Sequence, residues 1–209
     1  MAWGHSPSFW TVPYSPVLYV TVQNVEGYTT MDWLLDRLLP DPDFRTRYTR
    51  RVDASPEAVW RALLGVRADD LPLTGVLMRI RTGGRRRPAS GSFVANAAVP
   101  ELGRTEGREI VLGRVARFWK PRPVPGPPAT ATADGFAAFS EPGWAKAALA
   151  FQIIPADGRT LLVADTRVTA TDPRSRRIFS LYWSLIRLGG AGLIRVELLA
   201  AVARIAERG

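Results

Sequence analysis

The last third of the chain limits the fold most. WAKAALAFQIIP (144–155) puts Ala145, Ala147, Leu149, Phe151 and Ile153 on one side and Lys146 and Gln152 on the other, the period of two expected of a strand. After the turn PADG, RTLLVADTRVTATD (159–172) resumes the alternation, with Leu162, Ala164, Thr166 and Val168 on one side and Asp165 and Arg167 opposite. Such a pair predicts an antiparallel hairpin with one apolar and one mixed face. Asp172 and Pro173 then open a helix, and apolar residues recur at helical period from Arg174 to about Arg208, interrupted by GGAG at 189–192. Ile178, Phe179, Tyr182, Trp183, Leu185 and Ile186 cover more than one stripe, and Leu193, Val196, Leu199 and Val202 carry the pattern on. The glycines are expected to kink this helix or to let a neighbouring backbone approach closely.

A second firm signal is ASPEAVWRALLG (54–65). Ser55 can cap the first free amides, Pro56 fits the first helical position, Glu57 suits the positive end of the dipole and Gly65 can end the helix. Val59, Trp60, Leu63 and Leu64 share one side, so this short helix is built to lie on something apolar. Before it, MDWLLDRLLP (31–40) predicts a short amphipathic helix stopped by Pro40, and FRTRYTRRVDA (44–54) a strand. LPLTGVLMRIR (71–81) fits a short helix or a strand, with Gly75 weakening both.

SFVANAAVPE (92–101) and REIVLGRVARFW (108–119) read as paired strands, and Phe136 to Ser140 as a short one. Between them KPRPVPGPPATATA (120–133) is too proline-rich for a regular element, and its PxxP spacing at Pro125 and Pro128 reads as a stiff loop rather than a partner's ligand. Residues 1–30 are aromatic and proline-punctuated, with strand-like PVLYVTVQNV at 16–25; they read as an arm outside a domain at 31–209.

With 46% apolar residues among 209, the chain can bury a single sizeable core. It has no cysteine and one histidine, His5, in the arm. Thiolate chemistry, disulfides, three-histidine zinc sites and the two-histidine iron triad are therefore excluded, and a Ser-His-Asp triad would need the arm to fold back. There is no phosphate-binding loop, nucleophile elbow or dinucleotide fingerprint, because GGAG sits inside a helical pattern with the wrong spacing. No cofactor and no metal are expected. Nothing resembles a secretion signal, and no apolar stretch is long enough to span a bilayer, so a cytoplasmic location is expected. The net charge of +9 raises the question of nucleic acid, but 26 of the 28 basic residues are arginine. That bias is what a GC-rich coding sequence produces without any partner. The densest cluster, GGRRRP at 83–88, has no interleaved aromatics, so nucleic-acid binding is the weaker reading.

VDASPEAVWRALL (52–64), REIVLGRVARFW (108–119) and TRVTATDPRSRRIFSLYWSLIRLGGAGLIRVELLAAVARIAE (166–207) together resemble the SRPBCC superfamily, the helix-grip fold shared by START lipid-transfer domains, polyketide cyclases and aromatases, and pollen-allergen-like proteins. The resemblance covers residues 44–208. It implies an α+β fold in which a curved antiparallel sheet wraps a long C-terminal helix, with two short helices after the first core strand. It also implies a cavity between sheet and helix, whose expected lining is Arg114, Phe118, Phe151, Ile178, Tyr182 and Leu185.

Fold does not select function, and two readings stand. One is a binder of a small hydrophobic or aromatic molecule. The other is a cyclase- or aromatase-like enzyme working by acid and base groups, with Arg114, Asp165 and Tyr182 as the polar candidates and no residue compelled as catalytic. Arg114 shares a strand face with Ile110, Leu112, Ala116 and Phe118. If that face looks inward, Arg114 needs a carboxylate or an anionic ligand, because a buried unpaired charge is costly; if it looks outward, it is an ordinary surface charge.

Overall fold

The computed structural model describes residues 32–76, 91–95, 99–188 and 191–209. The arm with its 16–25 strand and His5, the arginine cluster at 83–88, and parts of the 71–81, 92–101 and 189–192 readings lie outside the described residues. The rest is α+β: a six-stranded antiparallel sheet with helices on both faces. Its strands are β1 (Phe44–Val52), β2 (Glu101–Thr105), β3 (Glu109–Arg117), β4 (Val124–Pro125), β5 (Ala145–Ala156) and β6 (Arg159–Ala170), ordered β1-β6-β5-β3-β2 with β4 on β3.

The β5–β6 hairpin follows its pattern. Ala145 pairs with Ala170 and Ala156 with Arg159, and Asp157 and Gly158 take positive φ of 44° and 75°, as a tight twisted turn requires. Asp is one of the few residue types besides glycine that visit this region, and Gly158 enters it freely because it has no Cβ. Parity then sorts the sheet. Tyr48, Ala164, Phe151 and Ile110 occupy one row across β1, β6, β5 and β3, so they share a face with Val52, Leu162, Ile153 and Leu112. This inner face is covered by α2 (Pro56–Gly65) and by the closing helices α4 (Pro173–Leu188) and α5 (Ala191–Ala206), each of 16 residues. The Ser55 hydroxyl caps α2 by accepting the Ala58 amide at 3.3 Å, and Val59, Trp60, Ala62 and Leu63 are its buried side. With Leu198, Leu199 and Val202 of α5 they seal one end of the inner face against Ile110, Phe151, Ile153 and Leu162.

The other face is not wet. α1 (Leu34–Leu38) and α3 (Ala133–Ala138) lie on it, burying Leu35, Leu38, Leu39 and Phe136 against Val111, Val115, Ala148 and Ala150. Glu109, 1% exposed, accepts the Leu34 amide at 2.6 Å, the Leu35 amide at 3.4 Å and the Gln152 Nε2 at 2.9 Å. A strand carboxylate thus caps the start of α1, and burial pushes its pKa up despite these donors.

Two expectations are corrected. Phe136–Ser140 is not a strand: Thr132 accepts the Gly135 amide at 3.2 Å, which starts helix α3 and turns Phe136 into the core. The partner of β3 is β2 at Glu101–Thr105, whereas residues 93–95 form a turn after an isolated bridge between Arg67 and Ser92. The proline-rich stretch is irregular apart from the two residues of β4 and a 3-10 turn at Pro128–Ala131. Residues 72–76 are helical, so α2 is followed by a second short helix.

Candidate functional site on the inner face of the sheet

The inner face is sealed at two ends and only partly covered between them. At one end lies the α2–α5 core described above. At the other, α4 places Phe179 and Trp183 on Ala145 and Val168. Phe179 is the hub: its ring lies 5.1 Å from Phe44, 5.6 Å from Tyr182, 5.8 Å from Trp183 and 6.1 Å from Phe118, all tilted or edge-on as ring quadrupoles prefer.

Between these ends Thr46, Ala147, Leu149 and Arg114 are half-buried although they point to the helix side, while Leu112 and Thr166 in the same rows are buried. Fully covered neighbours one row away make the contrast: Ile110, Phe151 and Ala164 are at 0%. Arg114 stands opposite Ala147, which stands opposite Val168, so its guanidinium stem leaves the sheet on the aromatic side. It forms no hydrogen bond or ion pair among the described residues.

The band has a second cation. Arg195 of α5 donates its Nε to the Thr166 hydroxyl at 2.9 Å, and burial pulls its pKa down, with Tyr48 acting in the opposite direction. Tyr48 itself lies against Gly192, where an added Cβ would come within 2.6 Å of its hydroxyl. At Gly192 the close approach is made by a side chain, where a neighbouring backbone was expected, and glycine is what lets α5 start above the sheet. Inward positions of β1, β3, β5 and β6 carry no Asp or Glu. The band is basic and aromatic.

The six expected lining residues separate into three groups. Arg114, Phe118 and Tyr182 come together around the band and its aromatic wall. Phe151 is at 0%, locked in the α2–α5 core. Ile178 and Leu185 are 36% and 67% exposed and stand on the side of α4 away from Phe179. Sequence reasoning passed over Thr166, Arg195 and Tyr48. The only signal for them was a Tyr on β1, a Thr on β6 and a Gly in α5 at compatible positions, which no local pattern joins.

Asp165 and Arg167 are not at this site. The odd positions of β6 face outward, beneath α1. Asp165, fully buried, takes Arg45 at 2.6 Å, Arg47 at 2.8 Å and Arg167 at 3.3 Å, while Arg167 also reaches Asp36 at 2.6 Å and the Leu39 carbonyl at 3.0 Å. Burial raises the Asp165 pKa and the Arg47 and Arg167 charges oppose the rise. The pair works as a clamp holding α1, with a carboxylate saturated by three guanidiniums.

No family model and no curated protein matches the chain. Among solved structures it is similar to TTHA0849 from Thermus thermophilus, at 13% identity over 78% of this chain and 97% of that one, with a TM-score of 0.32. Among the described residues no helix is long and apolar enough to cross a membrane, and no group of three or more His, Asp or Glu could hold a metal ion.

Proposed function

We propose that the protein binds a small hydrophobic or aromatic molecule, in the cytoplasm, between the sheet and its closing helices, in the helix-grip manner of the SRPBCC superfamily. The observation that supports this is the half-buried band itself. A sheet that seals its inner face at both ends and leaves Ala147, Leu149 and Arg114 only half-covered between them offers apolar surface to a guest. Arg114, without a protein partner among the described residues, gives the guest a polarity: an acidic group toward the guanidinium, an apolar or aromatic body toward Phe118 and Tyr182. Burying ~300 Å² of ligand apolar surface contributes about 7 kcal/mol gross. Immobilising the ligand removes part of that, leaving room for micromolar affinity.

The acid/base enzyme reading keeps two of its three candidates at the band, Arg114 and Tyr182, but loses its carboxylate, since Asp165 faces outward and the inward positions of four strands hold no Asp or Glu. Native mass spectrometry combined with displacement of a fluorescent dye by a panel of lipids and aromatic acids tests the proposal. Saturable displacement by some members is expected. A protein that retains no compound and releases no dye in a saturable manner does not have this function.

A further inference from the structure

Helix α4 carries more apolar surface than the sheet covers. At about 100° per residue, Trp183, Phe179, Tyr182, Ile178, Leu185 and Leu181 form one arc about 200° wide. The sheet takes the Phe179 and Trp183 end of it. The other end is bare: Ile178 is 36%, Leu185 67% and Leu181 78% exposed. Three neighbouring aliphatic side chains left in water on one helix side are a recognition feature rather than scattered surface residues.

The charge around the ridge selects its partner. α4 contains four arginines, at 174, 176, 177 and 187, and no acidic residue. Arg176 is paired with Asp43 at 2.9 Å. Arg174 and Arg177 are exposed at the amino end and form no ion pair among the described residues. A second copy of the same face would bring these positive charges together, which disfavours self-association. We infer that α4 docks the protein on an anionic lipid bilayer, with Leu181, Leu185 and Ile178 entering the acyl boundary and Arg174 and Arg177 held among the lipid phosphates. The docking does not require a ligand to be bound, and it goes beyond the binding role proposed above.

The test is co-sedimentation of the full chain with vesicles of phosphatidylcholine alone and of equal parts phosphatidylcholine and phosphatidylglycerol, at low and high salt. Binding to the anionic vesicles only, weakening with salt, is expected. Leu181→Ser and Leu185→Ser, both at exposed positions, should each reduce partitioning by about tenfold. Arg174→Gln and Arg177→Gln should each reduce it by about fivefold. Thermal unfolding of each variant checks that the fold persists. Anionic binding that ignores both leucine substitutions would be adsorption through net charge and would overturn the docking surface. Absence of vesicle binding would also overturn it and leave the face to a protein partner. A dimer in analytical ultracentrifugation that Leu181→Ser dissociates would overturn it in favour of a second copy.

Discussion

The Asp172 carboxylate accepts the Gly143 amide at 2.6 Å, joining the loop that enters β5 to the first turn of α4. The same group caps α4, taking the Arg174 and Ser175 amides at 2.9 Å each and the Ser175 hydroxyl at 2.6 Å. These donors, the Ser175 hydroxyl foremost, hold its pKa well below the ordinary 3.8, at about 2. A carboxylate whose folded pKa is depressed contributes stability that is full above its unfolded pKa and is lost as pH falls through the folded one. Unfolding midpoints should therefore decline between about pH 4 and 2, and Asp172→Asn should lower the midpoint at neutral pH while flattening that decline. A wild-type acid limb identical to that of the variant would contradict this role.

Glu109 is the acceptor for three donors in a dry environment. Glu109→Ala leaves the Leu34 and Leu35 amides and the Gln152 side chain without it, and should cost about 3 kcal/mol in chemical denaturation. The loss should be felt first at α1, so amide exchange at residues 34–38 should accelerate more than exchange at α5.

The clamp around Asp165 predicts an asymmetric result. Asp165→Ala removes the carboxylate shared by Arg45, Arg47 and Arg167 and leaves the nearly buried Arg167 with half-exposed Asp36 as its only ion partner among the described residues, which should cost about 3 kcal/mol. Ligand displacement by the folded variant should be unchanged, because the carboxylate lies on the far side of the sheet. Loss of binding at full stability would place Asp165 in the site after all.

Gly192 and Tyr48 should be coupled. Alanine in a helix is worth about 1 kcal/mol over glycine, yet a Cβ here would press on the Tyr48 hydroxyl. Gly192→Ala should therefore be neutral or destabilising alone and stabilising in a Tyr48→Phe background, with an interaction of about 1 kcal/mol in a double-mutant cycle. Equal effects in both backgrounds would mean that Tyr48 does not rest there.

How far the sequence could be read depended on how local each signal was. The hairpin, the Ser55-capped helix and the Asp172 start are written within a few residues of themselves, and the structure has them at those positions. Phe136–Ser140 misled because a short apolar run fits a strand as well as a helix, and the deciding cap, Thr132, lies upstream. The placement of Asp165 and Arg167 opposite the apolar stripe was legible, but their burial was not. It depends on α1, more than a hundred residues away, folding over that face. Antiparallel sheets often keep one face wet, and this one does not. Ile178 and Leu185 carried helical periodicity, which shows that a residue is on an apolar arc but not how much of the arc is covered. Arg114 was placed correctly on its strand face; that this face looks toward the helices is a fact of the assembled sheet.

The inner-face site is tested most directly by comparing the affinities of an aromatic or fatty acid and of its uncharged methyl ester for wild type and Arg114→Gln. The wild type should favour the acid by about tenfold or more, the worth of a charge-assisted hydrogen bond, and Arg114→Gln should abolish that preference while keeping the ester's affinity. Equal affinities of wild type for acid and ester, or a preference that survives in Arg114→Gln, would contradict a ligand held at this band.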